Sequence, residues 1–479
     1  TLDKGLFLIN KETGESKKLQ IDESRNSDIY VRHIEKISKD EYWVGAESGI
    51  YVLKDGAVQH ITYEAYNDLS ISDNAIYALF KDREGGIWVG SYFGGVDYIP
   101  KQYSYFENFY PIAYKNSISG YRVREFVSDR KGYLWIATED NGLNYYDTHT
   151  GLFTHISDKT KPVNISFTNI QCLNLVGDKL WIGTFTKGVD VLDLKTNHCR
   201  HYEKDGHPNS ILNNDIFAIY TDSRNTTWVS STTELYTYVP EIDGFKVFMP
   251  MNGMFISDIL EDKNGNIWIG TLGGGLQCLN PGTGEFTTYK ISNSGIISNH
   301  IASLCMSRDN RLIIGTSSTG VSIMDLTTRK ITNLVGNQSG SIRFSNQSIN
   351  QVYEDSRGLI WVGTREGLNL YNPKNDHLQV VPLSQNDSRV FITGIVEDDN
   401  KNMWVTTANG VVNVIPSIDT KDGDYTFNYY RYDDKDDLQG CEFNQRSIKR
   451  LSSGEIAMGG MYGLNTFRPE NIKYNRTLP

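Results

Sequence analysis

Residues able to do chemistry are few in this chain, and they are scattered. The stretch NHCRHYEKDGH places Cys199 and His201 on one face of an extended strand, with His198 and His207 nearby. A thiol and an imidazole side by side could ligate a transition metal, but the spacing fits no zinc pattern and a polar outer strand accounts for it, so no metal site is expected. Cys172, Cys199, Cys278, Cys305 and Cys441 lack the paired spacing of a disulfide framework, and an odd number leaves at least one unpaired. No nucleophile elbow, phosphate-cradling loop or HExxH motif is present, so neither a catalytic residue nor a cofactor is expected. Acids are abundant, and two carboxylates facing a cleft could cleave a glycosidic bond. The acids that recur, however, recur at turns.

That recurrence reveals the elements that must position any site. All eight tryptophans, Trp43, Trp88, Trp135, Trp181, Trp228, Trp268, Trp361 and Trp404, fall in one motif, clearest in DREGGIWVGSYFGGVDY, DKNGNIWIGTLGGGLQCL and DSRGLIWVGTREGLNLY. Two further copies carry Ile313 and Ala457 at the Trp position. Copies lie roughly 40 to 53 residues apart, close to the span of a four-stranded propeller blade. Each reads as an alternating strand, a turn, the Trp strand, a Gly-containing turn and two more strands. An Asp six residues before the Trp (Asp82, Asp129, Asp222, Asp262, Asp355, Asp398) suits a hairpin in which a short carboxylate accepts backbone N–H bonds. Glycines such as Gly94, Gly142, Gly320 and Gly367 precede the third strand, where positive φ or close packing excludes a Cβ. Apolar residues alternate in twos, so the fold is all-β.

The sequence has 479 residues. Ten innermost strands are recognisable, too many for one ring of four to eight blades, so tandem seven-bladed propellers are expected. Residues 151–479 are read as a complete ring, with GLFTHIS (151–157) filling the fourth place beside Gly463 to Phe467. Residues 1–150 are read as the last blades of an incomplete N-terminal propeller. The net charge of −11 and the lack of any Lys/Arg run argue against a nucleic-acid partner, and no apolar stretch is long enough to cross a bilayer.

The combination Asp-x-x-Gly, Ile/Leu-Trp-Ile/Val-Gly-Thr and Gly-Leu-x-x-Tyr, with connectors such as SISDNAIYALF and SILNNDIFAIY, resembles the two-component-regulator propeller repeat of Bacteroides-type hybrid systems. The resemblance covers nearly the whole chain. The ending YGLNTFRPENIKYNRTLP is similar to the passage that leads into that family's immunoglobulin-like domain. It implies a periplasmic sensor region of an inner-membrane receptor, homodimeric and joined to the membrane only through a downstream span, with kinase and receiver domains elsewhere. Its implied ligand is a glycan-derived oligosaccharide, and its output polysaccharide-utilisation genes. The Trp181 copy, which lacks the full Asp-x-x-Gly turn before Leu180, together with TTWVSSTTELY and IAMGG, departs from the pattern, which marks those blades as distorted or specialised.

In such a blade the loop after the second strand and the loop entering the next first strand emerge on one face. There the complete ring carries Phe185, Lys187, Asn214, Asp215, Phe255, His300, Arg365, Glu366, Phe391, Arg446 and Tyr462. Aromatics stack on sugar C–H faces and Arg, Asn or acids bond hydroxyls and carboxylates, a mixture suited to a saccharide. Tyr92, Phe93, Tyr121, Arg122, Glu139 and Asp140 take matching places in the N-terminal portion. The competing readings are a propeller glycoside hydrolase or lyase, and a protein-interaction propeller.

Overall fold

A computed structural model describes residues 4–21, 29–54, 56–65, 70–83, 85–99, 106–129, 131–251, 254–335, 344–383, 389–418 and 424–472. Residues 473–479, read above as a linker to a further domain, lie outside them. Strands dominate, and only three short 3-10 turns interrupt them among the described residues. No helix among these residues is long and apolar enough to cross a membrane.

The chain divides into two compact units, Thr1–Tyr105 with Ile472–Pro479, and Phe106–Asn471. The first contains a two-stranded sheet (Leu6–Ile9, Ser16–Leu19), a four-stranded antiparallel sheet running from Val31–Lys36 to Ala57–Ile61, and a three-stranded sheet (Ile76–Lys81, Ile87–Ser91, Val96–Ile99). Trp88 in the last of these is 45 % exposed, whereas its counterparts in the second unit are buried.

The second unit is a propeller of eight four-stranded antiparallel sheets. We number its blades 1 (residues 123–156), 2 (170–202), 3 (216–250), 4 (255–289), 5 (301–334), 6 (349–381), 7 (392–432) and 8 (443–467). The fourth strand of blade 8 is Phe106–Phe109, which pairs antiparallel with Leu464–Phe467. This corrects the register read from sequence. Leu152–Ile156 pairs with the third strand of its own repeat, Phe153 opposite Tyr146, because the tight DTHTG turn returns it there. The ring therefore gains the Trp135 blade and holds eight sheets, and the unit boundary falls at 105/106. Phe106 seals the closure, edge-on to Tyr432 at 5.1 Å and against Phe467 at 4.8 Å. Blades 8 and 1 are joined by Lys449 Nζ donating to Glu125 Oε1 (2.8 Å) and Asn444 Nδ2 to the Val123 carbonyl (2.7 Å).

The core lies between blades, because each sheet is covered on both faces while its outer strand faces water. Thus IWVGT (Ile360–Thr364) is buried throughout, and its Trp361 packs with Ile392 and Ile395 of the next blade. A Cβ on Gly363 would lie 2.7 Å from Ile392, which explains the Gly two residues after the Trp. Gly320 has φ +99°, and a Cβ there would meet the Leu334 carbonyl at 2.5 Å. The Thr that ends the motif bonds the same turn, Thr364 Oγ1 donating to the Gly367 carbonyl at 2.8 Å.

The recurrent Asp does more than the sequence suggested. Asp262 Oδ1 accepts the N–H groups of Asn264 and Asn266, while Oδ2 accepts the indole N–H of Trp268 at 2.9 Å. The indole bond recurs at Asp82–Trp88, Asp222–Trp228, Asp355–Trp361 and Asp398–Trp404. A buried Trp needs an acceptor, and the hairpin carboxylate supplies it.

Candidate functional site

Every blade's innermost strand slips register near its start, as between Val123 and Glu125, Ile256 and Asp258, Ile301 and Ser303, and Ile349 and Gln351. Bulges re-aim side chains and disrupt the ladder locally. In blades 1, 4 and 6 the polar side chain just after the slip reaches the next blade: Glu125 accepts from Leu173 N–H (3.1 Å), Asp258 from Leu304 N–H (2.9 Å), and Gln351 from Ile395 N–H (2.8 Å). Ser303 accepts from Val352 N–H at 3.3 Å. These bonds run around the ring axis and line it with polar atoms.

In blade 8 the slip is larger. Phe443 opposes Gly460 and Ile448 opposes Met458, so three extra residues bulge out of the innermost strand. Arg446, at φ +60°, is thrown inward from that bulge. Its Nη1 donates to the Ser257 carbonyl at 2.7 Å and lies 3.4 Å from Asp258 Oδ2, while Nη2 donates to the Ala302 carbonyl. One guanidinium thus ties blade 8 to blades 4 and 5. Burial pushes the Asp258 carboxyl above the usual carboxylate range, and Arg446 opposes the rise.

Around these groups lies a cavity of about 540 Å³ lined by strands of blades 1, 2, 3, 4 and 8. Phe217 and Phe255 form an apolar side, edge to face at 6.3 Å, and exposed Phe185 extends the arc at 6.4 Å from Phe217. The charged lining comprises Arg124, Lys449 and Arg446 against Glu125 and Asp258, an excess of one positive charge in a chain whose net charge is −11. An apolar side with converging polar groups is the usual make-up of a small-molecule site, and an Arg suits a carboxylate or sulfate.

Of the residues chosen from sequence, only Phe255 and Arg446 line this cavity. Lys187, His300, Arg365, Glu366 and Tyr462 are exposed on loops, and Phe391 is half-buried. Asn214 has structural work, and Asp215 is held through its backbone. Asn214 Oδ1 accepts the Lys204 N–H (2.7 Å), and the Asp215 N–H is held by Asn213 (2.8 Å). Tyr121, Arg122, Glu139 and Asp140 fall in the second unit, where Asp140 accepts the Tyr121 and Arg122 N–H groups. Glu125, Asp258, Phe217 and Lys449 were missed. Their signal was charge or an aromatic inside an innermost strand, as in VREFVS and RSIKR.

Among the described residues one mixed cluster could hold a metal ion, Asp190, Cys199 and His201, with ligand atoms within 4.8 Å of one another. Asp190 has another task. Its Oδ2 accepts both the N–H (2.6 Å) and the hydroxyl (3.0 Å) of Ser166, and its Oδ1 holds His201 Nδ1 at 2.7 Å. Asn144, Asn369 and Asn465 make the same connector bond, to Ser119, Ser345 and Gln439. Burial pushes the Cys199 thiol up to about 12. The five cysteines are all free.

An all-β ring of four-stranded blades around a polar, partly aromatic axis is a β-propeller. Segments 70–93, 250–273 and 343–366 match the two-component regulator propeller family model, so the chain carries repeats of that family. It is 26 % identical over 439 residues to Histidine kinase P4 of Formosa agariphila, covering 90 % of this chain but 28 % of that protein. The chain thus spans less than a third of the curated relative it matches. Its fold is similar to the extracellular domain of a one component system from B. thetaiotaomicron (19 % identity, TM-score 0.51, 100 % of this chain and 57 % of that one). It is also similar to the Dos1 propeller (12 % identity, TM-score 0.54, 76 % and 96 %).

Proposed function

We propose that this chain is the ligand-sensing region of a periplasmic two-component receptor of the hybrid type, and that its ligand is a glycan-derived oligosaccharide, preferably acidic. The observation that carries this reading is the axial cavity, where Phe217 and Phe255 face a cationic excess that includes Arg446. Aromatic faces suit sugar rings, and a guanidinium held by two carbonyls and one half-buried carboxylate can exchange those partners for a stronger bidentate acceptor. The named relatives support the receptor context. A histidine kinase matches most of the chain, and the extracellular domain of a one component system shares its fold.

Ligand capture by Arg446 would loosen its ties to blades 4 and 5, giving the two states that a signal requires. We place the output in polysaccharide-utilisation genes and the receptor in a homodimer. The acids of the axis do not favour hydrolysis, since Glu125 and Asp258 each already hold a backbone N–H and a cation.

The test is calorimetric titration of the two-unit chain with neutral and uronate-containing oligosaccharides, each sugar recovered and weighed by mass spectrometry. Saturable binding of an acidic sugar, returned intact and weakened at least tenfold by Arg446→Met, is the expected result. Cleaved sugar, or binding indifferent to Arg446 and Phe255, would overturn it.

A further inference from the structure

Blade 1 keeps the Asp and the Trp of the motif but not the bond between them. Asp129 Oδ1 accepts the Lys131 and Tyr133 N–H groups (2.8 and 3.0 Å), as the hairpin requires. The indole nitrogen of Trp135, a residue only 6 % exposed, has no hydrogen-bond partner. In the five other Asp–Trp copies that nitrogen is bonded to the Asp. A buried donor left unpaired forfeits its hydration without a bond in return, and here it does so in one copy of a repeat whose other Asp–Trp copies all make the bond.

Trp135 forms part of the wall of a groove of about 460 Å³ between blade 1, the connector 160–163 and the outer hairpin of blade 2. Tyr145 packs on Trp135 (4.6 Å) and on Tyr133 (4.7 Å), making a continuous aromatic wall. Asp129, Lys131, Lys161 and Asn197 also line it. The groove lies on the outer flank of the ring and shares no lining residue with the axial cavity. Its volume falls within the roughly 300–1,000 Å³ of small-molecule sites.

We propose that this groove is a second saccharide site, in which one pyranose ring lies on the Tyr133–Tyr145–Trp135 wall and a hydroxyl supplies the acceptor that the Trp135 indole N–H lacks. Aromatic wall, ammonium groups, a carboxylate and an amide are the set that grips a sugar ring from its face and edge. The inference rests on the saccharide reading above and deepens it, since a longer chain could be held at the flank as well as at the axis.

The experiment uses the whole chain, 15N-labelled, whose eight tryptophans give eight indole N–H cross-peaks. Trp135→Phe assigns one peak and Trp228→Phe another. Titration is with glucose, galactose, mannose, N-acetylglucosamine, glucuronate, maltose and cellobiose. We expect at least one sugar to shift the Trp135 peak saturably and leave the Trp228 peak in place, with the shift retained in Arg446→Met and its apparent affinity reduced at least tenfold in Tyr145→Ala. A sugar that shifts other resonances but never Trp135 would sink the flank site and leave the axial reading standing. A Trp135 shift abolished by Arg446→Met would also sink it, by showing one site. Silence throughout would overturn both.

Discussion

The unpaired indole of Trp135 makes a quantitative prediction about stability. Trp228 and Trp135 occupy equivalent positions, are 3 % and 6 % exposed, and differ in that Trp228 donates to Asp222 Oδ2 at 3.1 Å while Trp135 has no acceptor. Replacing either by Phe removes a similar volume, so the packing losses largely cancel. Trp228→Phe also forfeits a buried hydrogen bond to a carboxylate, about 1.5–3 kcal/mol. Trp135→Phe forfeits none, and it deletes a desolvated donor whose burial costs about 1–3 kcal/mol. The first variant should therefore be less stable than the second by at least about 2 kcal/mol. Urea unfolding followed by circular dichroism, with a separate transition fitted for each compact unit, gives both values. Costs equal within about 0.5 kcal/mol would refute the hydrogen-bond account and remove the stability argument for the flank groove.

Other perturbations follow from the same contacts. Phe106→Ala should cost the second unit about 3–5 kcal/mol in urea unfolding, because it empties a buried aromatic site at the ring closure, whereas Phe153→Ala, only half-buried, should cost less. Arg446→Met should destabilise more at neutral pH than near pH 4. Loss of the guanidinium lifts further an Asp258 pKa already raised above 3.8 by burial, and a carboxyl with a raised folded pKa loses stability as pH climbs through it; denaturation midpoints at the two pH values would test this. The His201 pKa is raised from 6.5 chiefly by its bond to Asp190. Its contribution should be full below about pH 6.5 and fade as pH rises through the higher folded value, and His201→Gln should flatten that dependence in thermal melts.

Much of the fold is legible because its determinants are local. The Trp strand, its Gly and Thr, and the Asp hairpin each act within a few residues, so one blade's sequence specifies one blade's shape. Ring closure is not local. The strand FENF, Phe106–Phe109, is four residues long, and its partner lies more than 350 residues away, while GLFTHIS looked equally suited until its own DTHTG turn is weighed. Arg446 reads from the sequence as part of a loop, and the structure sets it in the lining of the axial cavity. It belongs to an innermost strand whose three-residue bulge leaves no periodic trace in the sequence. The residues that line the axis sit on strands, whose sequence pattern reads as scaffold, whereas binding residues more often sit on loops.

The pairing of Phe106–Phe109 with Leu464–Phe467 has a mechanical consequence. The strands are antiparallel, with Phe106 opposite Phe467, so the chain arrives at and leaves the propeller at the same end of the same pair. Tension between the flanking segments would act on one residue pair at a time, peeling four pairs in sequence instead of shearing them together. The propeller then has a zip whose tab is the Phe106 ring, set among Trp404, Tyr432 and Phe467. A pull applied through the two flanking segments would open blade 8 before disturbing any other, and blade 8 is the blade that holds Arg446 across the axis.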